Sequence, residues 1–171
     1  MKNKKSRKVI PTILIVVEGY AEKYFVEYIK TIFYQRDCGF KVDVKNARGK
    51  GALHVVEYAK RLKQQLLYES VCVVFDTDKD WNSDAKKLVK DFNLKVTPSD
   101  PCLEAELLRI MSINPDFNTE LIKKQFIKRF GCNANKVDIF DELFPVDLLK
   151  KSALNEGWLK SIVQVIVTGN P

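Results

Sequence analysis

Asp76, Asp78 and Asp80 occupy alternate positions in the stretch VCVVFDTDKDW, residues 71–81, directly after an apolar run. Glu18 stands in the same relation to a second apolar run, Thr12 to Val17, and Gly19 follows it. Carboxylates crowded this closely repel one another unless a cation or basic groups neutralise them. An all-oxygen donor set suits a hard divalent cation, Mg²⁺ or Mn²⁺. Such an ion polarises a phosphoryl oxygen and lowers the pKa of a bound water. Taken singly, each carboxylate has a plainer explanation. Glu18 can accept hydrogen bonds in a turn, Asp76 can cap one, and Asp78 and Asp80 can be solvated loop residues. Lys79 either neutralises a phosphate or balances its acidic neighbours. What favours the metal reading is the coincidence of two strand ends delivering carboxylates to one edge of a sheet, where open α/β sheets bind ligands.

The elements that must position these residues follow from the apolar spacing. Thr12–Val17 and Val71–Phe75 read as short buried strands, and Phe40–Val44 alternates as a half-buried one. Leu94–Thr97 makes a fourth, ending in the turn PSDP that carries Asp100. Between them, AEKYFVEYIKTIF places Phe25, Tyr28, Ile29, Ile32 and Phe33 at helical spacing, and a second helix spans about Leu53 to Leu67. Asn82 or Ser83 caps a third. Glu22, in the first turn of the first helix, either complements the helix dipole or joins Glu18 at the strand end. NARGKGA, residues 46–52, is either a phosphate-binding loop, through backbone N–H groups and Arg48 or Lys50, or a plain connection. A helix from about Cys102 carries Glu104 and Glu106, which cannot share one face, so at most one points at the site. Strand and helix alternating four times predict a mostly parallel sheet flanked by helices. Beyond residue 113 the pattern turns helical: Asn118–Phe130, then stretches around Val137–Leu143 and Val146–Leu154. Trp158–Val167 reads as strand or helix. The expected organisation is a basic tail at 1–10, a core at 11–112 and a helical extension at 113–171.

Composition narrows the classes. The apolar fraction of 46% and ten Phe residues suit a folded domain with a real core. Apolar runs are too short for a membrane span, and the basic start MKNKKSRK lacks a signal peptide's long apolar region and cleavage site, so a cytoplasmic location is expected. Five of the seven net positive charges lie in that tail, which makes overall charge weak support for nucleic-acid binding. Four scattered cysteines and one histidine, His54, argue against a Cys/His zinc site.

Glu18-Gly19 after one strand and DTD at 76–78 after another resemble the Toprim domain of topoisomerases, bacterial primases and OLD-type nucleases. More narrowly, ILIVVEGYAEKYFVEYI, GALHVVEYAKRL, VCVVFDTDKD and PSDPCLEAELL, in that order, resemble the RloB-like family of prokaryotic defence loci. The resemblance implies a Rossmann-like core and a Mg²⁺-dependent nuclease, a defence effector acting on DNA or RNA with an ABC/AAA-type ATPase partner. An apolar surface exposed on the C-terminal helices would favour a homodimer or a contact with that ATPase. By position, Glu18 resembles the family's acid/base or metal-binding glutamate, Asp76 and Asp78 its Asp-x-Asp, and Glu104 its later acidic residue. Glu22 matches in part, since Ala21 stands where Thr is usual. Asp100 replaces Asn, and Thr77 stands where Arg is frequent. The alternative is a non-catalytic module that binds metal and nucleic acid to regulate a partner. A topoisomerase or primase would need further modules, for which this sequence has little room.

Overall fold

The computed structural model describes residues 10–136 and 140–169. All but one residue of the expected basic tail, and the start of the helical stretch expected from Val137, lie outside the described residues. The first part of the chain alternates as the apolar spacing demands: β1 (Thr12–Val17), α1 (Tyr20–Phe33), β2 (Lys41–Asn46), α2 (Gly51–Gln65), β3 (Ser70–Val74), α3 (Ser83–Asp91), β4 (Lys95–Val96) and α4 (Leu103–Ile110). Four helices follow: α5 (Thr119–Phe130), α6 (Phe140–Leu143), α7 (Val146–Ser152) and α8 (Trp158–Thr168).

The strands form one parallel sheet in the order β2-β1-β3-β4. The two central strands are buried on both faces, which is why they read as unbroken apolar runs: Ile13 to Val17 are all 2% exposed or less. Edge strand β2 alternates instead, with Val42 and Val44 buried and Lys41 and Lys45 exposed. Ile13, Ile15 and Val17 face a core shared with α1 and α4, while Leu14 and Val16 face α2 and α3. Helices therefore cover both faces. The chain turns from β1 to β2 on one side, then crosses to β3 on the other. This reversal leaves a crevice between β1 and β3 at their C-terminal ends, the position where such sheets bind ligands. Val17 pairs with both Asn46 and Val74, so the three loops leave the sheet at one level.

Several boundaries differ from the sequence reading. Strand β4 is two residues long rather than four. The ladder nevertheless continues, since Thr97 N–H donates to Val73 and Ser99 N–H to Phe75. Pro98 stands between them on the open edge, where its missing N–H is tolerated. Asn82, not Ser83, is the α3 cap: its Oδ1 accepts from the N–H groups of Asp84 and Ala85, both at 3.1 Å. Gly131, at φ 74°, ends α5. The ambiguous C-terminal stretch is a helix, because Leu159, Ile162 and Val165 or Ile166 then share one buried face.

The C-terminal helices complete the core on the α1 side. The Phe25 ring lies 5.1 Å from Phe140, 5.6 Å from Phe144 and 5.8 Å from Trp158 between centroids. The Tyr28 hydroxyl donates to the Phe144 carbonyl at 2.8 Å. All four cysteines are free thiols, and no described helix is long and apolar enough to cross a membrane. Because Phe25 joins α1 to α6 and α8, Phe25→Ala should lower unfolding free energy by about 3–5 kcal/mol. Denaturant titration checks this; a loss below about 1 kcal/mol would mean that the aromatic cluster contributes no cohesion.

Candidate metal and phosphate site

The β1–β3 crevice is spanned by Glu18. Its backbone N–H donates to the Val74 carbonyl at 3.0 Å, extending the β1–β3 ladder by one residue. Its side chain then reaches two loops: Oε1 accepts from Gly51 N–H at 3.1 Å and Oε2 from Asp76 N–H at 3.2 Å. Gly51, at φ 81°, opens α2, and a Cβ there would lie 2.9 Å from Asp80 Oδ2. Only glycine fits that position.

Glu22 turns back over the start of α1, and its Oε2 accepts from Gly19 N–H at 2.9 Å. This is the reaching-back half of a capping box. A Cβ on Gly19 would stand 2.8 Å from the same oxygen, so a larger residue displaces this carboxylate. The two readings of Glu22 prove compatible: it caps the helix and it lines the site.

Asp76 follows β3 and pairs with Ser99 in an isolated parallel bridge. Its Oδ1 accepts from Leu103 N–H at 3.0 Å, at the start of α4. Two residues, or just over half a turn, separate the two glutamates of that helix and put them on opposite faces. Glu104 faces the crevice, whereas Glu106 turns away, accepting from Asp100 N–H at 3.0 Å and from the Arg109 guanidinium at 2.7 Å. Thr77 and Asp100, two of the three departures from the family pattern, meet each other: the threonine hydroxyl donates to Asp100 Oδ1 at 3.0 Å.

Glu18, Glu22, Asp76 and Glu104 line one cavity of about 620 Å³, with Arg48 and Lys123 at its wall. The remaining candidates are not part of that lining. Asp78 is exposed on the loop beyond Asp76 and acts on Lys123 through its charge. Asp80, Lys50 and Lys79 cluster at the N-terminus of α2, where the Lys79 carbonyl accepts from Ala52 N–H. Of the two readings of the NARGKGA loop, a phosphate-binding loop or a plain connection, the backbone bonds bear on the first, because several of its N–H groups already have partners. Gly49 N–H bonds to the Glu18 carbonyl at 2.7 Å, and Gly51 and Ala52 N–H groups are likewise engaged. Its contribution to the cavity is Gly49 and the Arg48 side chain.

Lys123 was invisible to sequence reasoning. It sits on the polar face of α5, far along the chain and in no motif. Burial pulls its ammonium down, but Glu104 and Asp76 outweigh that and hold its pKa above the ordinary lysine range. One cation does not balance the carboxylates. Burial, then Glu22, Glu18 and Glu104, push Asp76 up to about 8. Burial, assisted by Glu18 and Glu104, pushes Glu22 up to about 7.

The model of the RloB-like protein family matches residues 13–125. This chain belongs to the RloB-like family. The match begins in β1 and runs into α5, so it takes in all four cavity carboxylates and Lys123. No curated protein and no solved structure matches the chain.

Among the described residues no three His, Cys, Asp or Glu side chains form a preformed metal cage. The RloB-like site nevertheless fits Mg²⁺, which keeps several waters and takes one or two carboxylates alongside substrate phosphate. The donors are all oxygens, and the strained ionisation of Asp76 and Glu22 is what a bound cation would relieve. The sign of the linkage follows. Carboxyls whose pKa is raised on folding contribute stability that is full below about pH 4 and lost as pH rises through about 7 to 8. Metal-free stability should therefore fall from pH 5 to pH 8, by on the order of a few kcal/mol, and the melting temperature with it. Added Mg²⁺ should restore part of it at pH 8. Asp76→Asn should flatten the profile and abolish the Mg²⁺ response. A wild-type profile flat over that range would show that the carboxylates do not crowd one another.

Proposed function

We propose that this RloB-like protein is a divalent-metal-dependent nuclease that hydrolyses phosphodiester bonds. The observation that carries the reading is the convergence of Glu18, Glu22, Asp76 and Glu104 on one cavity at the β1–β3 crevice, with Arg48 and Lys123 beside them. Asp76 and Glu104 would hold Mg²⁺ or Mn²⁺ with help from Glu22. When bound, the ion supplies Lewis-acid polarisation of the phosphate and a more acidic water. Arg48 and Lys123 place positive charge where the anionic substrate must sit and orient it. Glu18 holds the loops in register. Both of its oxygens already accept from backbone N–H groups, which suits a positioning residue better than the acid/base role that the family resemblance assigns it.

The Toprim likeness, carried by Glu18-Gly19 and by the DTD sequence at 76–78, supports the same chemistry. A role in anti-phage defence with an ATPase partner rests on the family resemblance. One observation favours a second reading, a non-catalytic metal- and nucleic-acid-binding module: among the described residues no carboxylates form a ready-made cage, and Glu18, Glu22 and Asp76 already accept backbone bonds.

The test is a cleavage assay on single-stranded DNA, duplex DNA and tRNA with Mg²⁺ or Mn²⁺, with and without an ATPase encoded beside the gene. Wild type should cut in a metal-dependent way. Asp76→Ala should lose at least about 10²-fold in rate, as expected when a group stabilising transition-state charge is removed. Lys123→Ala should lose less and be partly rescued by Lys123→Arg. Cutting that survives Asp76→Ala would place the chemistry elsewhere. Mg²⁺ binding lost on mutation, with no cutting under any condition, would favour the binding module.

A further inference from the structure

A second cavity, of about 440 Å³, opens on the free side of β2. Tyr20 and Arg48 line both cavities, so the two adjoin. The charge reverses across that boundary. Lys23, Lys45, Arg48 and Arg61 line the second cavity and no carboxylate does. Among the described residues no carboxylate lies within ion-pair distance of Lys23, Arg48 or Arg61, whereas Lys45 has Asp43 at 3.3 Å.

The rest of the lining suits nucleotides rather than a bare anion. One face of α2 presents His54, Tyr58 and Arg61 at successive turns. Tyr20, shared by both linings, is 55% exposed, with the Tyr24 ring 6.0 Å away between centroids. Asn46 Oδ1 accepts from Arg48 N–H at 2.6 Å, which fixes the amide, and its Nδ2 is buried with no partner. A buried donor without an acceptor calls for a ligand or water oxygen. His54 Nε2 donates to the Ala47 carbonyl at 3.1 Å, which leaves Nδ1 as an acceptor.

We infer that this cavity receives an unpaired nucleotide of a single-stranded nucleic acid, adjoining the phosphate held at the acidic site. Cations track the backbone, and the exposed Tyr20 ring offers a face on which a base stacks, the combination that binds single strands; the Tyr58 ring carries the Arg61 guanidinium 5.4 Å over it. A duplex keeps its base faces stacked internally and cannot place one on Tyr20 at the rim of a concave site. The inference rests on the phosphodiester reading for where the scissile bond lies. The basic cavity itself is a separate observation.

The test is anisotropy of labelled 12-nucleotide oligo-dT and oligo-U and of a 12-base-pair duplex with the full chain, in EDTA so that no cutting intervenes. Both sugar types are included because the lining groups read phosphate and base. Single strands should bind at least tenfold tighter than duplex, with affinity falling as salt rises. Tyr20→Ala and Arg61→Glu should each weaken single-strand binding about tenfold at unchanged melting temperature. Tyr20→Phe should restore it. Equal single-strand affinity in wild type and both variants, or a duplex bound as tightly as a single strand, overturns the proposal. Mg²⁺-dependent cutting by an Arg61→Glu variant with unaltered strand affinity would sink this inference and leave the nuclease standing. Strand binding that depends on Tyr20 and Arg61, with no cutting in any condition, would support the inference and remove the nuclease.

Discussion

The C-terminal edge of the sheet depends on one carboxylate whose two oxygens serve two different loops. At the β1–β3 crevice the connections diverge to opposite faces of the sheet, so no regular ladder joins them. Glu18 supplies the missing link, drawing in Gly51 N–H with one oxygen and Asp76 N–H with the other. Two backbone N–H groups from different loops thus share one side chain, which ties the loops to each other. The constraint propagates outward. Gly51 must take a left-handed conformation against Asp80, and Arg48 and Lys50 follow it into positive φ. The strain in that loop makes sense as the geometry that delivers Gly51 N–H to Glu18 and Arg48 to the cavity wall.

Holding four carboxylates in one cavity opposes folding, and the fold offsets this locally. Asp76 and Glu22 each accept a backbone N–H from a helix start, where the dipole favours negative charge. Lys123 adds one positive charge. These do not suffice, since both acids still ionise only near or above neutrality. A site purely for stability would have been neutralised further or replaced by apolar packing. The residual repulsion is free energy available to a cation, and perturbed carboxyls in a cleft are a mark of function.

How much of this the sequence carried depends on the range of the interactions. The strands and most helices were legible because apolar period and burial are local properties. Glu18, Asp76 and Glu104 were legible because a strand end or a first helical turn fixes where a side chain points. The separation of Glu104 from Glu106 followed from helical geometry alone. Lys123 was not legible, because its place depends on how α5 packs across α4, a contact between distant segments. Nor was the occupation of the NARGKGA amides, since a glycine-rich loop looks the same whether its N–H groups await a phosphate or already bond Glu18 and Lys79. The pairing of Thr77 with Asp100 was hidden for a related reason. Each looked like an isolated departure, and only the PSDP turn brings them within 3.0 Å.

The adjacency of two cavities of opposite sign has a physical logic of its own. A phosphate entering the acidic cavity meets several like charges. The basic cavity across Tyr20 and Arg48 lowers the energy of a polyanion one step away. A strand anchored there is held at the rim of the acidic site without entering it until a cation removes the repulsion. Arg48 lines both cavities, so one side chain can follow the backbone from one to the other. On the proposed reading, strand affinity and metal occupancy would rest on different residues, and the metal-free acidic cavity would repel phosphate.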